Sequence, residues 1–301
     1  MSTIIEQRLA RFVDRETEMR SFCSMLESRD WPRPIMVVWG DGGMGKSALM
    51  LRMVHECSVR SLTKAEVIWT DTRNHDYLGV MRKIRDDVGA PRFGQFTNLV
   101  NFFTDPQSPQ RIELALDVKG AINVGSQLSL GSSAQVGTMA GIVIKDAMLV
   151  ATRPDLGISE GERMARLTDQ FISELNEAAL GGTIVIFLDA LEKAAESTQR
   201  WLWGELLEPV RDGRLSNVRF VIGGRSQPTI KENWRSIIQE NQLGPLNQEH
   251  IREYLIKREI DFKEAEIVAG WVFAFSGGNP LKVASAVEAM SRMREQEDYG
   301  K

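Results

Sequence analysis

Eight consecutive residues, Gly40-Asp41-Gly42-Gly43-Met44-Gly45-Lys46-Ser47, have the types and spacing to grip a polyphosphate. Glycines let a backbone turn so tightly that successive N–H groups converge on one anion at a helix N-terminus. A lysine after the last glycine reaches the terminal phosphates, and the hydroxyl beside it ligates Mg²⁺. Cofactor contacts are therefore expected from Gly40, Gly42, Gly43, Met44, Gly45, Lys46, Ser47 and Ala48, with Ser47 also on the metal. The ligand this pattern implies is a nucleoside triphosphate.

A phosphate loop needs a carboxylate to hold Mg²⁺ through water. Asp189 meets that need, because the apolar run Thr183-Ile184-Val185-Ile186-Phe187-Leu188 delivers it to the end of a strand, where ligands of such sheets sit. Glu192 follows three residues later; beside Asp189 it is placed to orient or deprotonate a water. Arg225 ends the next apolar run, Val218 to Ile222 and then Gly223-Gly224, and its guanidinium can report the γ-phosphate. Glu192, Asp189 and Arg225 are thus the expected catalytic set, with Ser47 and Asp189 on the metal. Arg211, Arg214 and Arg219 precede that strand and read as a solvated basic face, with an arginine finger for a neighbouring subunit as the alternative.

These groups must be carried by alternating strands and helices. Asp14 is placed to cap a helix through Arg29, with Met19, Phe22, Met25 and Leu26 on one face, and Pro32 and Pro34 lead into the strand Ile35–Trp39. A helix from the loop to about Cys57, a strand over 67–70, a helix over 77–88 and a helix over 160–180 follow. After the Asp189 strand come a helix over 198–210, the strand ending at Arg225, and a short strand near 237–243. The order predicts an α/β fold, a P-loop NTPase whose mainly parallel sheet is flanked by helices. Beyond Pro245 the pattern is wholly helical, over 248–257, 263–275 and 281–294. The expected organisation is an NTPase domain over 1–244 and a lid-like helical domain over 245–301. Residues 110–145, punctuated by glycines, read as an inserted β-hairpin or a Gly/Ser-rich loop.

The chain of 301 residues carries a net charge of −4, which gives no bulk attraction to nucleic acid, so a nucleic-acid partner is not expected. Its two cysteines, Cys23 and Cys57, suit a reducing compartment. No signal-like start and no bilayer-length apolar run is seen, so a cytoplasmic protein without a membrane partner is expected. The tryptophans, among them Trp201, Trp203, Trp234 and Trp271, read as core or interface anchors.

Together the phosphate loop, Leu188-Asp189-Ala190-Leu191-Glu192 and Val221-Ile222-Gly223-Gly224-Arg225 resemble the STAND-class ATPases, the AAA+-related group that includes NB-ARC and NACHT modules. Phe12-Val13-Asp14-Arg15-Glu16 is similar to that group's entry segment, which implies adenine contacts for Val13 and Arg15. Gly277-Gly278-Asn279-Pro280-Leu281 is similar to its G-x-P-L segment, which implies that Pro280 packs on the base. The chain departs from the group with Asp14 in place of glycine and Lys193 where an acid is common. The resemblance implies an ATP/ADP switch with slow Mg²⁺-dependent hydrolysis that drives self-association or partner signalling in defence or regulation. It also implies either a fragment of a longer protein or a reduced form acting with a partner. Two alternatives from other classes are a DNA-associated ATPase of the origin-recognition type and a non-hydrolysing nucleotide-binding scaffold.

Overall fold

A computed structural model describes residues 3–27, 32–74, 76–104, 159–229 and 232–299. The glycine-punctuated segment 110–145 lies outside them. The chain divides into two compact units, residues 1–88 with 176–301, and residues 89–175.

The first unit opens with α1 (Thr3–Ala10) and α2 (Glu16–Glu27). The sheet then builds from β1 (Ile35–Trp39), β2 (Thr63–Ile68), β3 (Ile184–Asp189), β4 (Val218–Gly224) and β5 (Ile238–Gln242). Its order is β2-β3-β4-β1-β5, and every recorded pairing is parallel. β1, β3 and β4 carry few charged residues because parallel strands covered on both faces must shed polar side chains. All seven residues of β4 are buried. One face of the sheet packs on α2 and α3 (Lys46–Val59), through Phe22, Met25, Leu49, Met50 and Met53 against Met36, Val38, Phe187 and Val221. α4 (Tyr77–Val88) buries Val80, Met81 and Ile84, matching the predicted helix end for end.

Several expectations need correction. Asp14 does not cap α2: it sits at φ 62°, with its carboxylate on Arg15, and the helix begins at Glu16. β2 starts at Thr63, earlier than expected, because Lys64 and Glu66 occupy alternate positions while Ala65 and Val67 face the core. The expected helix over 198–210 is broken into α7 (Glu196–Trp201), a wide helical turn over Leu202–Leu206, and α8 (Glu208–Arg211). Gly204 and Pro209 interrupt it. Arg219 is not on a solvated face: it is 1% exposed and donates to the carbonyls of Met25, Ser216 and Val218.

After β5 the same unit continues as α9 (Gln248–Ile256), α10 (Phe262–Ser276) and α11 (Pro280–Tyr299). Asn247 and Asp261 cap α9 and α10 by accepting from the His250 and Lys263 amides. Gly277, at φ 59°, ends α10. These helices enclose their own apolar cluster of Leu246, Ile251, Leu255, Ala269, Val272 and Val287.

The second unit contains α5 (Gly94–Thr104) and most of α6 (Glu160–Ala178). Phe171 of α6 stacks on Phe93 and meets Phe96 edge-on. The Glu174 carboxylate accepts from the Gln95 and Phe96 amides at 2.8 and 2.9 Å, capping the start of α5. Among the described residues, no helix is long and apolar enough to cross a membrane.

Candidate functional site

The loop between β1 and α3 has the backbone that its glycines permit. Gly43 and Gly45 take φ of 83° and 85°, values that strain any residue with a Cβ. The loop closes on itself: the Met44 amide donates to the Asp41 carbonyl at 3.3 Å, and Lys46 Nζ donates to the carbonyls of Gly40 and Asp41 at 2.6 and 2.9 Å. Ser47 and Ala48 occupy the first turn of α3, both exposed. Nothing approaches within 4 Å of a Cβ built on Gly42. A ring of backbone with an ammonium already inside it is an anion cradle.

The sheet brings the expected Asp189 carboxylate to this loop. Ser47 Oγ donates to Asp189 Oδ2 at 2.7 Å, and Asp189 Oδ1 accepts from its neighbour Ala190 N–H at 2.8 Å. The pairing was legible in the sequence, but the route was not. β4 lies between β1 and β3, so Asp189 must lean across it. It crosses at Gly223, where a Cβ would stand 2.8 Å from Asp189 Oδ1 and 2.8 Å from Met50 Sδ. Gly223 thus makes room for Asp189, a role that the motif reading passed over. The only sequence signal was a glycine ending an otherwise bulky, buried strand.

Glu192 and Arg225 meet each other. Arg225 Nε lies 3.1 Å from Glu192 Oε1, with the arginine 60% exposed and the glutamate 25%. Ala190, at φ 63°, makes the turn that carries Glu192 round to β4. Burial pulls the Lys46 ammonium below the usual lysine range, while Glu192 and Asp189 work in the opposite direction and Arg225 adds to the lowering. Ser47 and Asp189 offer hard oxygens, the donor set Mg²⁺ takes, so the residues present fit the ion. Bound Mg²⁺ would supply charge neutralisation at the phosphates.

The two segments for which the resemblance implies adenine contacts also lie beside the loop. Arg15 is buried, and its guanidinium donates to the Met44 carbonyl at 3.3 Å and the Gly244 carbonyl at 2.6 Å, and pairs with Asp14 at 2.9 Å. Val13 packs into the cluster formed by α9 to α11. Pro280 opens α11, its ring 3.8 Å from a Cβ built on Gly45. Asn279, which the sequence reading left without a role, donates through Nδ2 to the Gly42 carbonyl at 3.0 Å. Leu281 N–H donates to the Gly43 carbonyl at 3.1 Å.

A family model described as an AAA ATPase domain matches residues 11–221, which hold the phosphate loop and both expected acids. Among curated protein sequences, none matches. Cdc6p of Pyrobaculum aerophilum is similar in structure, with a TM-score of 0.50 at 11% identity over 95% of this chain and 64% of its own. A Walker-type ATPase of Pyrococcus abyssi gives 0.47 at 14% identity, over 96% and 75%. A STAND protein with a tetratricopeptide repeat sensor from Pyrococcus horikoshii gives 0.40 at 12%, over 90% and 29%. The chain therefore spans less than two-thirds of two of these three proteins. At such identities, the likeness to Cdc6p speaks for the fold alone.

Proposed function

The chain belongs to the AAA ATPase domain family, and on that premise we propose that it is an ATP/ADP switch of the STAND type. It hydrolyses ATP slowly with Mg²⁺ and controls self-association or a protein partner. The observation that carries this reading is the Glu192–Arg225 ion pair, held between the turn after β3 and the end of β4.

With ADP, Arg225 and Glu192 can keep each other neutralised. A γ-phosphate offers the guanidinium a second anion, and a bidentate contact to phosphate outweighs a half-exposed ion pair. Arg225 then turns to the phosphate, and Glu192 is released to accept a proton from an attacking water. Ser47 and Asp189 hold the metal, and Lys46 exchanges two loop carbonyls for phosphate oxygens. Lys193, where an acid is common among relatives by resemblance, fits slow turnover.

Residues 245–301 act in this reading as a lid over an NTPase domain of 1–244. The direct bonds from Asn279 and Leu281 to the loop let a change in the nucleotide move the helices. Self-association is supported by α10, where Ile267, Trp271 and Phe275, spaced four apart, are 66%, 76% and 76% exposed. The origin-recognition alternative would take DNA, against a net charge of −4. A salt-dependent DNA titration separates it from the switch.

Calorimetry with ADP and with ATP plus Mg²⁺ tests the site. The parent protein binds both, and Lys46→Ala loses at least roughly a hundredfold in affinity. Parental affinity in Lys46→Ala would end the assignment.

A further inference from the structure

We infer that Asn279 is a positioning residue for the nucleotide, splinting the phosphate loop from its outer side. The inference rests on the nucleotide-binding reading and extends it to a residue outside the loop. One side chain performs two tasks. Its Oδ1 accepts from the Leu281 and Lys282 amides at 3.1 and 3.2 Å, capping the start of α11. Its Nδ2 donates to the Gly42 carbonyl at 3.0 Å. Because Leu281 N–H also reaches the Gly43 carbonyl, two successive loop carbonyls are fixed by adjacent points of one turn.

Peptide planarity gives this contact its chemical consequence. In a trans peptide the C=O and the following N–H point in opposite directions. Holding the Gly42 carbonyl towards Asn279 turns the Gly43 N–H away from it, leaving that amide for a phosphate oxygen. A glycine-rich loop otherwise surrenders its large conformational freedom when the ligand binds. A loop ordered beforehand binds more tightly because that entropy is already spent.

Two further observations show that the contact is built. A Cβ on Gly43 would stand 2.6 Å from Asn279 Oδ1 and 3.0 Å from Leu281 Cβ, so the loop must lack a side chain where Asn279 docks. On the other side, Gly278 at φ 74° lies so close under the Leu246 carbonyl that a Cβ would overlap it, and its own carbonyl accepts from the Leu246 amide at 2.8 Å. The turn is thus anchored behind Asn279 as well as in front of it.

Asn279→Ser separates the two tasks. Serine is as good a helix cap as asparagine and is uncharged, but its short hydroxyl cannot bridge to Gly42. The expected result is a ligand-free melting temperature equal to the parent's, with the dissociation constants for ADP and ATP both raised roughly tenfold. Asn279→Ala loses cap and splint together and should show the same affinity loss with a lower melting temperature. If Asn279→Ser binds ADP as the parent does while Asn279→Ala does not, the residue is only a cap and the inference is overturned. Parental affinity in both variants overturns it equally. If the parent itself binds neither nucleotide, the nucleotide-binding reading falls, and this inference with it.

Discussion

The carboxyl edge of the sheet and the outer face of α10 contrast in how each handles its exposed groups. At the edge, the groups of the candidate site already have partners: Lys46 rests on loop carbonyls, Ser47 on Asp189, and Glu192 on Arg225. On α10, Ile267, Trp271 and Phe275 present large apolar area to solvent. In the proposed switch, a ligand at the edge replaces bonds already made, an exchange that can be reversed. The helix face can only gain by being covered, since apolar area removed from water is worth about 25 cal/mol per Å². In the proposed switch, a small polyanion takes the first region and a protein surface the second.

The largest effect at the edge is expected from a change that leaves its charges in place. Gly223→Ala sets a methyl group against Asp189 and Met50, so Asp189 is displaced from Ser47. The Mg²⁺-dependent part of ATP affinity should fall by about one to two orders of magnitude, while ADP without metal binds nearly as before. Titrations with and without Mg²⁺ check this, and an unchanged metal dependence would remove Asp189 from the metal. Next is Glu192→Gln, expected to slow phosphate release by about ten- to a hundredfold with little change in binding; equal rates would make Glu192 a partner of Arg225 and nothing more.

On the other region, Trp271→Asp should leave nucleotide affinity within about twofold and abolish any ATP-dependent rise in mass seen by light scattering. An oligomer that survives it places the interface elsewhere. The mildest perturbation is pH. Lys46 attracts phosphate only when protonated, and burial has lowered its pKa. ADP affinity should therefore hold near neutrality and decline as the solution becomes alkaline, at a pH below the ordinary lysine range of about 10.4. A flat profile between about pH 7 and about pH 10 would sink that expectation.

The two regions were unequally legible in the sequence. The phosphate loop is a local motif, so residues 40–47 declared their chemistry without any fold. Asp189 and Arg225 were readable because apolar runs announce buried strands and their ends. The strand order was not readable, and so neither was the need for Gly223 beneath Asp189. α10 is rich in apolar residues around most of its circumference, and periodicity alone could not tell that Ala265, Ala269 and Val272 face inward while Trp271 faces out. α5 went unpredicted because Gly94, Thr97, Asn98, Val100 and Asn101 are all weak helix formers. Its start is secured by Glu174, distant in sequence. Arg219 misled for a related reason, since its charge is compensated by three carbonyls that only the fold assembles.

Arg15 carries a mechanical implication. One guanidinium is tied at once to Met44, within the loop, and to Gly244, where the chain leaves the sheet for its last helices. Motion of the loop by an ångström would be felt at that crossing through a single rigid planar group, with no relay of intermediate contacts. Arg15, one residue ahead of α2, thereby spans the loop and the chain's exit from the sheet with one side chain.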